Sequence, residues 1–260
     1  MPNLSSEVSA LRFPGKLTAG PYQAEQVLDA GGLQDSLALR QQIFRGGRGT
    51  DRDRFDDLCR HILIRDRRDG RAVAGFRFRM LRADQVASTY TAQFYDLSAL
   101  SACPGPLAEL GRLALEPAHR GPDCQRLVLA ALTRLVLAER VRVIFGCTSF
   151  PGADASRHAP ALAWLNKHHP ALQSGPSLGP VAATSADQPD GRGVPSLLRS
   201  YLAMGGRVGA EPASDPDLDT LHVFTMLDVA QMPEARARAL IRLLRQAARS
   251  GAASADIRTA

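Results

Sequence analysis

The sequence predicts an α/β fold of the α+β kind, built on a mixed twisted sheet with helices on both of its faces. Apolar segments of strand length alternate along the chain with apolar segments of helix length, as expected for a sheet covered by helices. In the middle of the chain the order is strand, helix, strand, helix. That order places a parallel pair of strands at the centre of the sheet.

The first predicted elements are a helix and a β-hairpin. Apolar residues recur at helical spacing over 33–44, and a Gly-Gly pair directly follows. The segments 60–65 and 72–81 are rich in apolar residues and flank Asp69-Gly70, which is a typical hairpin turn.

The central elements follow in the predicted parallel order. A buried strand over 106–115 leads into an apolar helix over 124–139, which has few polar positions and must be covered on most sides. A strand over 142–147 and a helix over 159–168 come next. The segment 173–195 is rich in Gly, Pro and Ser, which predicts a long loop.

The last predicted elements are two strands, near Arg207 and over 221–227, and an amphipathic tail helix over 233–249. Four arginines fall on one face of this helix, and three apolar residues fall on the other. The arginines are Arg238, Arg242, Arg245 and Arg249, and the apolar residues are Leu240, Ile241 and Leu244. We therefore predict a lead-in over 1–15, a single domain over 16–230 and a basic tail over 231–260.

The cysteine spacing, the first residues and the length of the apolar stretches indicate the cellular environment of the protein. The four cysteines form no C-x-x-C pair and have no histidine at a zinc-like interval, so neither disulfides nor a metal site are predicted. Residues 1–4 lack a basic, apolar leader, and no apolar stretch reaches about 18 residues. The sequence thus predicts a cytoplasmic protein without a standard export signal or a membrane span.

The formal charge of +6 favours an acidic partner: nucleic acid, anionic lipid or an acidic carrier protein. Nucleic-acid binders combine a basic stripe with aromatic residues for stacking. Aromatic residues make up only 5% of this chain, and its arginines alternate with acids over 51–54. These features argue against nucleic acid.

A strand followed by Pro-x-x-Arg-Gly and an apolar helix, over 107–147, resembles the acyl-thioester site of GNAT acyltransferases. The resemblance implies splayed central parallel strands and a helix N-terminus that grip the pantetheine arm of the donor. The residues that it implies at the acyl donor are Leu113, Leu115, Arg120, Gly121, Cys124 and Gln125.

The loop before the apolar helix departs from the usual R-x-x-G-x-G/A pattern. Its small residues after Gly121 are missing, and Pro122 has no amide to donate to a diphosphate. Asp123, as a predicted N-cap, would place a carboxylate where a phosphate should lie. We expect coenzyme A to be a poor donor and an acyl carrier protein (ACP) to suit both the loop and the net charge.

A closer resemblance covers residues 40–228. Its motifs are Asp53-Arg54-Phe55-Asp56, Cys59-Arg60-His61, Gln93-Phe94-Tyr95-Asp96-Leu97, Glu109-Leu110-Gly111-Arg112, Phe145-Gly146-Cys147-Thr148-Ser149-Phe150, and Pro195-Ser196-Leu197-Leu198 through Tyr201 to Gly205. Together they resemble the ornithine acyl-ACP N-acyltransferases of bacterial ornithine-lipid synthesis. The Glu-x-x-Arg strand alone also resembles that of acyl-homoserine-lactone synthases.

The resemblance implies transfer of a 3-hydroxyacyl group from ACP to the α-amine of L-ornithine. It implies no permanently bound cofactor, because the phosphopantetheine arm of ACP carries the acyl group. The substrate-binding residues that it implies are Arg77, Asp53, Asp56, Tyr95, Ser149 and Phe150.

The chemistry needs a proton acceptor, because an α-amine with a pKa of about 8 is protonated at neutral pH. Glu109 is the candidate; the alternative is that it forms a buried ion pair. In a regular strand Arg112 would point to the opposite face. We therefore predict a bulge at Gly111, with backbone amides near Leu113 polarising the thioester carbonyl.

Several other residues are candidates for the site, and most of them have a second interpretation. Arg77 binds the ornithine carboxylate or lies on a solvated sheet face. Asp53 and Asp56 bind the ornithine side-chain ammonium or pair with neighbouring arginines. Arg120 is expected to meet the carrier's phosphate. Cys147 is a possible acyl-cysteine, although packing is the favoured interpretation.

The tail helix has three options: to lie on an anionic membrane surface, to dock ACP or to pack on the core. Two rival functions also stay open. One is acyl-homoserine-lactone synthesis with S-adenosylmethionine as acceptor, and the other is a non-catalytic module that binds acyl-ACP or lipid.

Overall fold

The computed structural model describes residues 16–169 and 189–256, with side chains as far as residue 251 apart from that of residue 210. The predicted lead-in, most of the loop over 173–195 and the last four residues lie outside the described residues. The described chain divides into two compact units. The first unit comprises 16–79, 110–140 and 234–256, and the second comprises 80–109, 141–169 and 189–233.

The first unit is built on an antiparallel meander. Its strands are β1 (Leu17–Ala19), β2 (Tyr22–Gln26), β3 (Arg60–Asp66) and β4 (Ala72–Leu81), each paired with the next. The later residues of β5 (Leu107–Leu115) adjoin β4. The predicted hairpin is therefore confirmed as the β3–β4 pair.

Three helices belong to the first unit: α1 (Ala30–Arg45), α2 (Pro122–Ala138) and α5 (Glu234–Asp256). Helix α1 begins at Asp29, whose carboxylate accepts a hydrogen bond from the amide of Gly32 at 2.8 Å, a typical N-cap. It ends at Gly46 in the left-handed conformation (φ 58°), as the Gly-Gly pair predicted. Helix α2 packs against α5, β1 and β2.

The second unit contains the start of β5, then β6 (Val143–Pro151), β8 (Thr220–Asp228) and β7 (Arg207–Asp215), in that spatial order. The pairing of β5 with β6 is parallel, as predicted, and joins 107–109 to 143–145. The other pairs of this unit are antiparallel.

Helices α3 (Ala159–His168) and α4 (Ser196–Ala203) also belong to the second unit, and its described residues include two apolar cores. One core includes Leu97, Leu107 and Phe145, and the other includes Phe150 and Leu165.

These elements confirm the predicted mixed α/β class. Strands β1 and β2 and helix α4 were not predicted, because the strands have only three and five residues and the helix only eight. Within the described residues, no helix has both the length and the apolar character required to cross a membrane.

Candidate active site

A buried cluster of arginines and aspartates is the most prominent polar feature of the first unit. It joins α1, the loop that follows it, β4 and β5. We call it the arginine–aspartate cluster, and its members are Arg40, Asp51, Asp53, Asp56, Arg77 and Arg112.

Arg40 lies at the centre of this cluster and is 2% exposed. Its Nε donates to Asp51 Oδ2 at 2.7 Å and its Nη1 donates to Asp56 Oδ1 at 2.5 Å. Its Nη2 donates to the backbone carbonyl of Asp51. The whole guanidinium fork is thus engaged, as a buried arginine requires.

Arg77 and Arg112 extend the cluster from two strands. Arg77 Nη1 lies 2.5 Å from Asp53 Oδ1 and 3.0 Å from Asp56 Oδ1. Arg112 donates to Asp51 Oδ2 and Asp53 Oδ2, both at 3.2 Å. Each aspartate is therefore shared between at least two arginines, and Asp51 also pairs with Arg45, which compensates the cost of burying the charges.

Burial and charge in and beside the cluster shift the pKa of Asp56 and His61. Burial alone would raise the pKa of Asp56, but the hydrogen bond and charge of Arg40 outweigh it and hold the pKa at about 2. His61 Nε2 lies 3.1 Å from the backbone carbonyl of Asp56, and its Nδ1 lies 3.2 Å from Ser36 Oγ. Burial lowers the pKa of His61, so this ring is neutral near pH 7.

These contacts bear on the alternatives left open by the sequence. Asp53 and Asp56 pair with neighbouring arginines. The interpretation of Arg77 as part of a solvated sheet face is wrong, because Arg77 is 3% exposed and its guanidinium lies inside the cluster.

The strand that carries Arg112 is irregular at that residue. Arg112 has φ 50°, a left-handed conformation that costs a non-glycine residue roughly 1–3 kcal/mol. The bulge that we predicted at Gly111 stays a prediction; the irregularity that the structure shows is the left-handed backbone of Arg112. The side chains of Glu109 and Arg112 have separate partners, since Arg112 binds Asp51 and Asp53 whereas Glu109 binds a turn of the second unit.

Glu109, in the second unit, is buried at 5% exposure beside that turn. Its Oε1 accepts from both the amide and the hydroxyl of Thr91, each at 2.7 Å. Its Oε2 accepts a longer bond, 3.3 Å, from the amide of Tyr90. Glu109 therefore anchors this turn and does not form the ion pair that was its alternative role with any residue that the structure describes. Its Oε2 accepts the longest of the three bonds.

The turn anchored by Glu109 presents aromatic residues. The hydroxyl of Tyr90 donates to Asp215 Oδ2 at 2.5 Å, and the rings of Tyr90 and Phe94 lie 5.2 Å apart. The imidazole of His222, on β8, meets the Phe94 ring edge-on at 4.8 Å, and its Nε2 lies 3.0 Å from Thr220 Oγ1. Sequence reasoning missed Tyr90 and Asp215, which are 125 residues apart in the chain.

The predicted donor loop lies at the N-terminus of α2. Its N-cap is Gly121, not Asp123 as predicted; Asp123 lies in the first turn instead. Gln125 Nε2 donates to the carbonyl of Arg120 at 2.6 Å, which closes the loop. Cys124 is fully buried, so its side chain packs in the interior. Leu113 and Leu115 are half-buried on β5.

Three predicted substrate-binding residues, and the cysteine for which an acyl-cysteine role was considered, lie in the second unit. Tyr95 is 4% exposed and donates its hydroxyl to the carbonyl of His222 at 2.9 Å, and Phe150 is 1% exposed. Both side chains therefore lie in the apolar cores, and their contact with a substrate stays a prediction. Ser149 is exposed on β6. Cys147 packs against the apolar core that contains Leu97.

Comparison with known proteins found relatives that are similar in sequence and a solved structure that is similar in fold. Residues 39–130 match the model of the acetyltransferase (GNAT) domain family. The L-ornithine N(alpha)-acyltransferase of Rhodobacter capsulatus is 31% identical over 238 residues, which cover 82% of this chain and 92% of that protein. The chain belongs to the L-ornithine N(alpha)-acyltransferase family.

A second member of this family, the L-ornithine N(alpha)-acyltransferase of Brucella abortus, is 26% identical and covers 81% of each chain. Among solved structures, the N-acyl amino acid synthase FeeM from uncultured soil microbes superposes with a TM-score of 0.50 at 9% identity. It covers 81% of this chain and 92% of that one, and it supports the fold alone. The family membership confirms the resemblance drawn from the motifs, and the protein is an acyltransferase enzyme.

The sequence showed only that acidic and basic residues alternate over 51–54. The structure shows which of these residues are buried. In the segment 51–54, Asp51 is buried and Asp53 half-buried, while Arg52 and Arg54 are exposed. That period of two was the available signal for the arginine–aspartate cluster. The central role of Arg40 had no such signal, because it lies on a helix whose apolar residues define the pattern.

Proposed function

We propose that this acyltransferase moves a fatty acyl group from the thioester of an acyl carrier protein to the α-amine of L-ornithine. The observation that carries this proposal is the 31% identity with the Rhodobacter capsulatus L-ornithine N(alpha)-acyltransferase over 92% of its length. The acyltransferase fold supports the reaction type. We place the reaction in the cytoplasm, in keeping with the four free thiols.

The choice of donor is supported by the start of α2. The diphosphate of coenzyme A needs several free backbone amides at a helix N-terminus. Here Pro122 removes one amide, and the Asp123 carboxylate lies in the first turn, where it repels a diphosphate. A carrier-borne phosphopantetheine arm has a single phosphate, for which Arg120 is the proposed partner.

The proton acceptor that we propose is Glu109 through Oε2. The amine loses a proton to this oxygen, its nitrogen attacks the thioester carbonyl carbon, and the C–S bond breaks as the amide forms. The nitrogen loses its second proton as the amide forms, the departing pantetheine thiolate takes that proton up, and Glu109 releases the first proton to solvent, so that charge and atoms balance. The hydrogen bonds of Oε1 to Thr91 fix the carboxylate during this transfer.

Asp53 is the proposed contact for the ornithine side-chain ammonium. Its side chain is 22% exposed, whereas those of Asp51 and Asp56 have no exposed area. The remaining members of the arginine–aspartate cluster hold Asp53 in place, and we assign them no substrate contact.

The experiment that tests the proposal supplies purified enzyme with acyl-ACP and records thiol release with either L-ornithine or S-adenosylmethionine. We expect release that depends on ornithine. Release with S-adenosylmethionine alone indicates an acyl-homoserine-lactone type of reaction, and release with neither acceptor indicates a binding module; either result contradicts the proposal.

A further inference from the structure

Helix α5 has one face on the protein and one face in solvent. Helix α2 and strand β1 of the same unit cover its apolar side. On that side Ala247 is 4% exposed, and Leu240 and Leu244 are half-buried. The solvent side carries four exposed arginines, which we call the arginine face: Arg238, Arg242, Arg245 and Arg249.

The arginine face carries a concentrated positive charge. Between residues 234 and 251 the only acidic residue is Glu234, which accepts a bond from Arg238 Nε at 3.0 Å. In the part of the chain that the structure describes, Arg242, Arg245 and Arg249 have no recorded ion-pair partner. These three side chains are spread over about 10 Å of helix, at 1.5 Å per residue.

The arginine face ends near the proposed donor site. The backbone of Gly251 lies so close to Lys16 that a Cβ there would be 2.6 Å from the Lys16 carbonyl oxygen. At the far end of β1, a Cβ on Gly20 would lie 2.6 Å from Asp123 Oδ2, in the first turn of α2. The extended segment 16–20 spans on the order of 13 Å. The Arg249 end of α5 and the N-terminus of α2 therefore lie at opposite ends of one short strand.

Two acidic partners suit such a face: a carrier protein or an anionic membrane. An amphipathic helix binds a membrane by burying its apolar side in the lipid. In α5 that side is already packed on α2 and β1, so only charge is available for contact. An exposed row of guanidinium groups is suited to the carboxylates of an acidic protein surface.

We propose that the arginine face of α5 docks the acyl carrier protein and so brings its phosphopantetheine arm to the N-terminus of α2. This inference rests on the proposed function, because the carrier protein is the donor in that reaction. Electrostatic docking of this kind acts mainly on the rate of association, and salt weakens it.

The test compares two double variants that change charge equally. Arg242→Glu with Arg245→Glu alters the arginine face, whereas Arg82→Glu with Arg192→Glu alters exposed arginines of the second unit, whose side chains are 79% and 92% exposed. For each, kcat/KM is measured with acyl-ACP and with acyl-pantetheine, a donor that lacks the carrier protein.

We expect the arginine-face variant to lose about tenfold or more in kcat/KM with acyl-ACP and to keep its activity with acyl-pantetheine. The second-unit variant should resemble the wild type with both donors. An unchanged kcat/KM with acyl-ACP overturns the docking proposal, as does an equal loss with both donors, which indicates a structural defect.

Sedimentation with phosphatidylglycerol vesicles tests the membrane alternative. If the arginine-face variant loses vesicle binding but keeps wild-type kinetics with acyl-ACP, the face binds membrane and the proposal is overturned. Calorimetric binding of acyl-ACP separates this inference from the proposed function. If the wild type binds acyl-ACP through these arginines but does not acylate ornithine, the proposed function alone is refuted. If the arginine-face variant no longer binds acyl-ACP but forms product at the wild-type rate, this inference alone is refuted.

Discussion

Arg40 Nη1 and Asp56 Oδ1 form a 2.5 Å ion pair between two side chains that are each at most 2% exposed. Asp56 also accepts from Arg77 and from the amide of Asp53. A helix, a loop and a strand of the first unit are thereby joined through one carboxylate, which makes it the most informative position for a stability measurement.

Replacing Asp56 with asparagine should destabilise the protein by about 3–5 kcal/mol, because Arg40 and Arg77 then lose a buried counter-charge. Urea unfolding measures this loss. The matched control is Asp57→Asn, since Asp57 is 69% exposed and its pair with Arg52 is worth about 1 kcal/mol or less. Equal effects of the two substitutions would show that the cluster does not stabilise the fold.

Asp56 should also make stability depend on acid. Its pKa is about 2 in the folded state against an ordinary value of 3.8. A lowered pKa stabilises the fold at pH values above the ordinary one, and this stabilisation disappears as pH falls from about 4 towards about 2. The contribution is roughly 2 kcal/mol, measured as the change in unfolding free energy across that interval. A similar pH dependence in Asp56→Asn would contradict this assignment.

The sequence predicted the framework well where local pattern determines it. The bounds of β4 and α3 agree with the predicted 72–81 and 159–168, because each element has a clear apolar period and a definite end. The parallel pairing of β5 with β6 followed from the order of elements. Strands β1 and β2, at three and five residues, were too short to show such a pattern.

The polar contacts could be predicted only in part. Asp53, Asp56 and Arg77 were identified as one set of candidates, but their mutual pairing depends on how a loop folds against β4. The anchoring of Thr91 by Glu109 joins residues 18 positions apart in different elements. No periodicity encodes a contact of that kind, and so the sequence left the partner of Glu109 open.

Glu109→Gln should lower kcat/KM by about 10²–10⁴-fold while the protein remains folded. The glutamine oxygen still accepts from the amide and hydroxyl of Thr91, but it takes up no proton at neutral pH. Steady-state kinetics over a range of pH measures the effect. The limb of the kcat/KM profile that reports deprotonation of the base should disappear.

Thr91→Ala is the matched control for this experiment, because it removes one hydrogen bond from Glu109 and leaves the carboxylate in place. We expect a smaller loss of activity and an unaltered shape of the pH profile. If Glu109→Gln keeps wild-type activity and Thr91→Ala does not, Glu109 is an anchor of the turn and no base.

Tyr90→Phe should cost about 1–3 kcal/mol of stability, because the buried Asp215 carboxylate loses the hydroxyl that donates to it. Asp215 Oδ1 keeps its bonds from the amides of Asp217 and Leu218. Thermal unfolding measures this loss. The reference is Tyr22→Phe, which should cost less, because the Tyr22 hydroxyl lies 3.0 Å from His119 Nδ1 in a half-buried position. A larger loss in the reference would contradict this ranking.

The cysteines should not carry the acyl group. Cys147 packs against an apolar core, and burial raises the pKa of the Cys124 thiol to about 11, which keeps it protonated at neutral pH. We expect Cys147→Ser to retain activity, and the intact mass of the enzyme to stay unchanged after mixing with acyl-ACP in the absence of ornithine. An added acyl mass that Cys147→Ser abolishes would establish a covalent intermediate.

The most direct test of the central claim is tandem mass spectrometry of the product formed from purified enzyme, acyl-ACP and an equimolar mixture of amino acids. We predict a single dominant product, ornithine acylated on its α-nitrogen. Acylation of the side-chain nitrogen, or of another amino acid in preference to ornithine, would contradict the account.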